Sequence, residues 1–240
     1  MCDFVHLHCH TQFSLLDGAS DISMMMDKAV QDGQKAVALT DHGNMYGAFK
    51  FVSEANKRNI KPIIGCEFYL VENRHIRSFK RSEGEYDDRF HQLILAKNEK
   101  GYQNLSKLCS LGFIEGSYGK YPRIDKELIE KYHEGLIATS CCLAAEIPQA
   151  IIRGDLDKAE KKLKWWLNIF GEDFYIELMR HRGLEDIDYI NSQGQRQRSG
   201  LSQEDVNQQL IKLAVKYNVR TIATNDAHYV DREDANAHDI

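Results

Sequence analysis

Seven short apolar segments recur along the chain, and most are followed by a polar or helical stretch. Their hydrophobic character is continuous rather than alternating, as in VALT, LILA and LIATS, which is typical of strands buried on both faces of a parallel sheet. The segments are residues 4–8, 36–39, 62–71, 91–96, 135–139, 174–178 and 220–223. We therefore predict an α/β fold built from repeated strand–helix units.

Amphipathic helices are predicted between these segments. Apolar residues recur there at helical spacing, with polar residues on the opposite side. The stretches are residues 21–32, 45–58, 155–170 and 202–217. The last begins with Ser202 and Asp205 in an S-x-x-D pattern, which is typical of a capped helix start. Residues 72–89 and 180–200 are polar and lack this periodicity, so we predict long loops or small hairpins inserted there.

The composition is that of an ordinary globular protein. The 240 residues include 31 Lys and Arg against 36 Asp and Glu, for a net charge of -5, and 42% are hydrophobic. This balance excludes disordered and collagen-like chains, and the acidic excess argues against a nonspecific nucleic-acid coat protein. Because α/β barrels commonly occupy about 200 to 250 residues as one unit, we predict a single domain over residues 1–240.

The sequence carries no membrane or export signal. No apolar run reaches the roughly 20 residues that a membrane-spanning helix needs, and the N-terminus lacks the pattern of a secretory signal. We therefore expect a cytoplasmic protein with no membrane partner. The six cysteines have no regular spacing, which in such a chain predicts buried thiols or metal ligands rather than disulfides.

Metal-binding residue types collect at the ends of the predicted strands. In a parallel α/β barrel the carboxyl ends of the strands meet on one face, where active sites form. We therefore expect these side chains to share one rim, with the exception of His91, which opens its predicted strand. In chain order the strand-end residues are His6, His8, His10, Asp17, Asp41, His42, Glu67, Cys141, Cys142, Asn225, Asp226 and His228.

The chemistry of these groups predicts a multinuclear metal site. Imidazole, thiolate and carboxylate together suit zinc, with manganese or iron as alternatives. Eight or nine such groups exceed the four ligands of one tetrahedral ion, so we predict two or three ions that share bridging carboxylates. Because such a site activates water at neutral pH and stabilises both the attacking and the leaving oxygen of a phosphoester, we predict phosphoester hydrolysis.

Several motifs resemble those of the polymerase and histidinol phosphatase (PHP) superfamily. They are H-x-H-T beginning at His8, T-D-H ending at His42, the strand of Glu67, His91, and D-x-H beginning at Asp226. Longer words are similar to the PHP domains at the N-terminus of bacterial DNA polymerase III alpha subunits. They include F-S-L-L-D-G, K-P-I-I-G-C-E, G-Y-Q-N-L, E-G-L-I-A-T-S-C-C-L and A-T-N-D-A-H-Y, and the match runs through nearly the whole chain.

This resemblance implies a fold and a set of site residues. The fold would be a distorted seven-stranded (β/α) TIM-like barrel of the PHP type around a trinuclear metal centre. Zinc would be the metal, with up to three ions, and manganese, iron and magnesium are alternatives. Glu67, Asp226 and His228 would be catalytic. The nine implied metal ligands are His8, His10, Asp17, His42, Glu67, His91, Cys142, Asp226 and His228.

The resemblance also implies an activity and partners. The domain would be a 3′-5′ exonuclease that acts on a DNA 3′ end as an intrinsic proofreader. The chain would be an N-terminal fragment of a longer DNA-directed DNA polymerase, whose remaining domains would be its partners. A sliding clamp and a separate proofreading exonuclease subunit are further expected partners.

Two other functions stay open on the sequence alone. The domain could be a metal-stabilised scaffold without catalysis, which docks against polymerase or proofreading subunits. It could also be a free-standing phosphatase for a small phosphomonoester, although the polymerase-type words G-Y-Q-N-L and E-G-L-I-A-T-S-C-C-L argue against that. Ligands alone do not separate a catalytic from a structural metal site.

Five residues near the predicted site have a structural alternative. We expect His6 to pack or to support a ligand, and Asp41 to orient an imidazole, as metal sites usually require. Cys141 is expected to be a buried thiol beside the ligand Cys142. Glu177 and His181 follow the sixth predicted strand, where either could contact substrate or serve the structure.

Overall fold

The computed structural model describes residues 4–77, 89–191 and 193–235 and contains both strands and helices. Within these ranges the strands are β1 Ala36–Leu39, β2 Lys61–Val71, β3 Phe90–Ala96, β4 Arg123–Asp125, β5 Leu136–Thr139, β6 Phe174–Leu178, β7 Asp188–Ile190, β8 Arg196–Arg198 and β9 Thr221–Ala223. The helices are α1 Ile22–Gln31, α2 Ala48–Lys57, α3 Glu99–Ile114, α4 Lys126–Tyr132, α5 Glu146–Ile152, α6 Leu156–Phe170 and α7 Gln203–Tyr217. Six of the seven predicted strands are confirmed with small shifts of their bounds.

The main sheet has the order β1-β2-β3-β5-β6-β9, and β4 pairs with the far end of β2. Neighbouring strands are parallel except at β3, which is antiparallel to both β2 and β5. The prediction of a parallel sheet is therefore wrong for β3. Buried strands of either direction are continuously apolar when both faces are covered, so the hydrophobic pattern alone does not report direction.

The first apolar segment closes the curved sheet without forming a regular strand. His6 forms an isolated parallel bridge with Val37 on β1, and Cys9 forms another with Ala227 beyond β9. The segment thus alternates between the first and last strands of the sheet, so the prediction of a strand over residues 4–8 is wrong. The closure agrees with the expected distorted (β/α) TIM-like barrel.

All four predicted helices are present, and three of them begin with a side-chain cap, whereas Gly47 before α2 provides none. Asp21 accepts hydrogen bonds from the first backbone amides of α1, and Asp155 does the same for α6. Ser202 and Asp205 form a reciprocal capping box at the start of α7. These caps satisfy amides that have no partner within the helix.

Helices α3, α4 and α5 lie outside the predicted set. In α3 the apolar periodicity is interrupted by Gly101, which lies against Gly135 so closely that a Cβ atom would be 1.7 Å from the Gly135 carbonyl oxygen. Helices α4 and α5 have only seven residues each, too few to establish a helical period.

The hydrophobic core lies between the sheet and its helices. Trp166 on α6 is fully buried and stacks near Phe174 on β6, as expected for a core residue. Its indole Nε1 donates a hydrogen bond to Glu146 at 2.7 Å, and this buried carboxylate also contacts Lys126 and Lys162. The charge of Glu146 is therefore compensated, as burial of a carboxylate requires.

The two polar insertions differ in structure. Residues 180–200 contain the antiparallel hairpin of β7 and β8, which confirms the expectation of a loop or small hairpin. The first insertion begins with the buried Arg74, whose guanidinium contacts Asp125 at 2.9 Å, and its residues 78–88 lie outside the described part of the chain. Among the described residues, no helix is both long and apolar enough to cross a bilayer.

Candidate metal centre

The direction of β3 brings His91 to the rim that the other strand ends share. Antiparallel pairing places His91 opposite Tyr69, and Leu93 opposite Glu67, so β3 begins where the parallel strand β2 approaches its end. The start of an antiparallel strand lies at the same edge as the carboxyl ends of its parallel neighbours. His91 is therefore no exception to the common rim.

Glu67 lies at the middle of a ring of four histidines. Its Oε1 is 3.2 Å from His8 Nε2 and 3.2 Å from His91 Nδ1. Its Oε2 is 2.6 Å from His42 Nδ1 and 3.4 Å from His10 Nε2. Because each oxygen faces two imidazoles, this fully buried carboxylate is placed to bridge two cations.

Asp226 adds a second carboxylate to the same group. Its Oδ1 is 3.3 Å from His8 Nε2 and 3.1 Å from His10 Nε2. The backbone of Asp226 is left-handed, with φ of 50°, a conformation that Asp tolerates better than most residues. This local turn follows β9, and it is part of how the end of that strand meets the two histidines of the first segment.

Asp17 connects the two outer histidines. Its Oδ2 is 2.6 Å from His42 Nε2 and 3.0 Å from His228 Nε2. Hydrogen bonds from His228 and His42 hold the pKa of the Asp17 carboxyl far below its usual range, so this group is ionised at neutral pH. At this exposed end of the cluster, the carboxylate charge is balanced by two imidazoles whose pKa values its hydrogen bonds raise against the effect of burial.

Both adjacent cysteines lie near Glu67. The Sγ atom of Cys142 is 3.6 Å from Glu67 Oε1 and 3.6 Å from His91 Nδ1. The Sγ atom of Cys141 is 3.3 Å from the same carboxylate oxygen. The backbone of Cys141 is left-handed, with φ of 57°. Interaction with Cys141, and then with His91, lowers the pKa of Cys142 to about 7 against the effect of its burial, whereas burial raises the pKa of Cys141. Cys142 is therefore the better thiolate donor, although Cys141 also reaches the cluster.

A buried carboxylate behind the cluster fixes the orientation of His8. His8 Nδ1 lies 2.8 Å from Glu177 Oε1, and the hydroxyls of Thr139 and Thr224 also donate to this carboxylate, at 2.5 Å each. With a proton on Nδ1, the lone pair of Nε2 faces the ring of ligands. Burial lowers the pKa of His8, but the carboxylates around it outweigh that effect and raise the pKa, so a cation bound at Nε2 would take the place of the proton that these carboxylates favour there.

A serine connects Asp41 to His10. Ser14 Oγ donates to Asp41 Oδ1 at 2.8 Å and lies 2.9 Å from His10 Nδ1. Since the Ser14 proton is directed to Asp41, the serine oxygen accepts from His10 Nδ1–H, and His10 Nε2 is left with its lone pair. Burial lowers the pKa of His10 to about 4, which keeps it neutral. Asp41 thus acts on an imidazole, as expected, but does so through Ser14.

Several buried atoms at the centre of the cluster have no aligned hydrogen-bond partner. An unpaired buried polar atom costs about 1–3 kcal/mol, so their convergence on one region fits bound cations. Several sets of three side chains have donor atoms that all lie within 4.8 Å of one another. Some side chains belong to more than one of these sets, which fits more than one ion. The unpaired atoms are His8 Nε2, His10 Nε2, His42 Nδ1, Glu67 Oε2 and Asp226 Oδ1.

All nine predicted ligands are therefore brought together. The overlapping groups are His10 with His42 and His228, His8 with His10 and Asp226, His42 with Glu67 and His91, Glu67 with Cys142 and Asp226, and His8 with Glu67 and Cys141. Asp17 joins them through its contacts with two of these histidines. Ligation by each residue stays a prediction.

The other candidates lie around the cluster. Glu177 is 1% exposed and therefore serves the structure behind His8 rather than contacting substrate. His6 is half-buried, and its ring packs edge-on against Phe4 at 4.8 Å, which agrees with a packing role. Ser14, Thr139 and Thr224 are functional contacts that sequence reasoning missed, and only the position of Ser14 four residues after His10 offered a signal.

A cleft of about 280 Å³ opens beside the cluster. One wall carries the side chains of the predicted ligands. The rest of its lining consists of Leu143, Ala144, Met179, His181 and Gln203. The predicted ligands at its edge are thus reachable from outside, whereas Glu67 lies beneath them.

The chain is similar to known proteins both in sequence and in structure. The sequence profile of the PHP domain matches residues 6–181. Proteins named DNA polymerase III subunit alpha match from Thermus aquaticus, with 45% identity over 240 residues, and from Borreliella burgdorferi, with 44% identity over 237 residues. Each match covers 99% of this chain but 18% and 19% of the respective relative, so the chain spans about a fifth of their length.

A solved structure from Bifidobacterium adolescentis, described as a candidate metal-dependent phosphoesterase, resembles the fold. Its TM-score is 0.52 at 15% sequence identity, and the alignment covers 93% of this chain and 87% of that chain. At this identity the likeness concerns the arrangement of strands and helices, which agrees with the curved α/β barrel described above.

Proposed function

Because the chain belongs to the PHP domain family, we propose that it is a metal-dependent phosphodiesterase that removes nucleotides from the 3′ end of DNA. We propose in addition that it forms part of a DNA polymerase III alpha subunit, a DNA-directed DNA polymerase. Its partners would then be the rest of the alpha chain, a sliding clamp and a separate proofreading exonuclease. The relatives of that name, 44–45% identical, support this second proposal.

The observation that carries the first proposal is the convergence of unpaired nitrogen and carboxylate oxygen atoms at one rim. Imidazoles, a thiol of lowered pKa and carboxylates form a donor set that suits zinc, while manganese, iron and magnesium are alternatives. The residues that would hold the ions are the nine predicted ligands. When bound, such ions supply Lewis acidity and lower the pKa of water toward neutrality.

The protein groups have distinct parts in this proposal. Glu67 is buried beneath the cleft. It would fix the positions of the imidazoles and of the ions without contacting DNA. Asp226 and His228 line the cleft and would contact the reacting phosphate. His228 Nδ1 donates to the Asp226 carbonyl oxygen at 2.8 Å, which directs its Nε2 toward the cluster. Asp17 would hold His228 and His42 together at the exposed end of the cluster.

The test combines metal content with nucleotide release. We expect about two to three ions per chain by elemental analysis, and chelator-sensitive release of nucleotides from the labelled 3′ end of a primer. His8→Ala should abolish release and lower the metal content. His75→Ala is the matched control, because it removes an exposed imidazole away from the rim and should change neither quantity.

The alternative functions are separated by the same experiment. Bound metal without release from any DNA end would favour the metal-stabilised scaffold that docks other polymerase domains. Hydrolysis of a small phosphomonoester without release of nucleotides would favour the free-standing phosphatase. A wild-type protein that binds no metal would contradict all three.

A further inference from the structure

We propose that the apolar part of the cleft lining, beside the metal ligands, is a shelf that binds the nucleobase of a single nucleotide without reading its identity. The shelf consists of Leu143, Ala144, Met179 and the ring of His181. The inference rests on the proposed function, since it names what lies next to the reacting phosphate.

The shelf is apolar although it borders a cluster of charged groups. Leu143 and Ala144 directly follow the predicted ligand Cys142, and Met179 directly follows strand β6. Metal binding itself requires no apolar side chains at these positions. A nucleotide combines an anionic phosphate with a flat apolar base, so a cationic centre beside an apolar wall is complementary to both of its ends.

His181 completes the shelf with a fixed ring. Its Nε2 lies 2.7 Å from the carbonyl oxygen of Asn225, and its Nδ1 lies 3.2 Å from Gln203 Nε2. The two contacts agree on one neutral form, in which Nε2–H donates to Asn225 and Nδ1 accepts from Gln203. Because both ring nitrogens have partners, His181 offers a surface for stacking rather than a free hydrogen-bonding group.

This saturation predicts tolerance of all four bases. Gln203 Oε1 also accepts from the backbone amide of His181 at 2.5 Å, so both polar atoms of the Gln203 amide hold His181, one at its backbone and one at its ring. Discrimination among bases needs donors and acceptors directed at base edges, whereas stacking is largely independent of sequence. The same tolerance is what an enzyme that degrades any DNA end requires.

The size of the cleft limits what can enter. At about 280 Å³ it lies just below the range of about 300–1,000 Å³ that is usual for pockets holding drug-sized ligands. It therefore suits one nucleotide and is too small for a base pair. A terminal nucleotide must leave its partner before it enters, and this costs least where it is mismatched. The shelf thereby favours unpaired and mismatched 3′ ends.

Binding of two products that differ only in the base tests the shelf. The probes are thymidine 5′-monophosphate and 2-deoxyribose 5-phosphate, titrated calorimetrically into the zinc-loaded protein. We expect wild-type protein to bind the nucleotide about tenfold more tightly, as stacking of one base allows. The four deoxynucleoside monophosphates should agree within about threefold.

Two substitutions assign the preference to the shelf. Leu143→Ala should reduce the tenfold ratio to about threefold or less, while Leu143→Met, which keeps an apolar side chain of similar volume, should retain most of it. Leu156→Ala is the control, because Leu156 is a 50% exposed leucine on α6 that does not line the cleft. Metal content is measured for each variant and should be unchanged.

The outcomes separate this inference from the proposed function. Equal affinities for the two probes in wild-type protein, no measurable nucleotide binding, or an unchanged ratio in Leu143→Ala would each overturn the shelf. Nucleotide release together with equal affinities for the nucleotide and the sugar phosphate would leave the exonuclease proposal standing and remove the shelf. Tighter binding of the nucleotide than of the sugar phosphate, without release from matched or mismatched primers, would keep the shelf as a nucleotide site and refute the exonuclease.

Discussion

Substituting Glu177 with Gln isolates the contribution of a buried carboxylate that lies behind the metal centre. Glu177 is 1% exposed and accepts side-chain hydrogen bonds from His8, Thr139 and Thr224. Gln has nearly the same size but no charge, and its amide nitrogen cannot accept a hydrogen bond. One threonine hydroxyl can rotate to accept from that nitrogen, so the core stays filled and paired. The main loss is the charge that orients and polarises His8.

The size of the effect follows from that contact. A neutral hydrogen bond contributes about 0.5–1.5 kcal/mol net, and a charge-assisted one roughly twice as much. The variant replaces the charge-assisted hydrogen bond to His8 with a neutral one and lowers the basicity of His8 Nε2. These two losses should weaken zinc binding by about 10- to 100-fold. This corresponds to about 1.4–2.7 kcal/mol of binding free energy. The free energy of unfolding in the presence of chelator should change by less, about 1 kcal/mol.

Zinc affinity is measured by competition with a chromophoric chelator, alongside thermal unfolding in chelator. Glu160→Gln is the matched control. Glu160 lies on α6, and its carboxylate also collects several partners, among them Lys164, Lys216 and Tyr217. The Glu160→Gln variant should bind zinc with unchanged affinity. A folded Glu177→Gln variant with wild-type zinc affinity would show that the contact with His8 does not set the state of its ligand nitrogen.

Four further predictions concern the thiols, the metal, the buried ion pair and the packing. In cobalt-loaded protein, Cys142→Ser should remove the thiolate charge-transfer absorption and Cys141→Ser should largely keep it; the reverse result would exchange their roles. A chelator should lower the melting temperature, since an ion at 100 times its dissociation constant stabilises by about 2.7 kcal/mol, and an unchanged melting temperature would contradict metal binding to the native fold. Burial raises the pKa of Glu146, but two lysine ammonium groups outweigh that effect, and the net shift of the pKa is downward. The contribution of Glu146 to stability is therefore present above its unfolded pKa of about 4.5 and is lost as pH falls through the lower folded value. Glu146→Gln should flatten the acid limb of a pH–stability curve, and an equally steep limb in the variant would refute this. Gly101→Ala should lower the free energy of unfolding by more than about 3 kcal/mol, because its Cβ would overlap a backbone carbonyl oxygen. Gly154→Ala should lower it by only about 1–2 kcal/mol, from left-handed backbone strain alone, because no atom lies within 4 Å of the new Cβ. Equal losses in urea unfolding would refute the packing explanation.

The sequence predicted much of the local structure correctly. Helix α7 was recognisable because its apolar spacing and its cap at Ser202 agree. Helix α3 was not, because Gly101 interrupts its pattern for a reason that lies elsewhere in the chain, at Gly135. A local pattern cannot report a contact between residues so far apart in sequence.

The candidate ligands were also visible in the sequence. His, Cys, Asp and Glu are uncommon together at strand ends, and the motifs around His8 and Asp226 resemble those of one family. The supporting residues were not visible in this way. Ser14 and Thr224 are ordinary hydroxyl residues. The spacing of Ser14 from His10 offered the one signal, and nothing in the local sequence of Thr224 shows that it contacts Glu177.

By itself, the sequence determined the types of ligand, most of the elements and the expectation of a shared rim. Only the tertiary structure decided that β3 runs antiparallel, which brings His91 to that rim, and that Asp41 reaches His10 through Ser14. The physical reason is that side-chain chemistry and helical period are local properties of the chain. Strand direction and contacts between distant residues depend on how the whole chain buries its apolar surface.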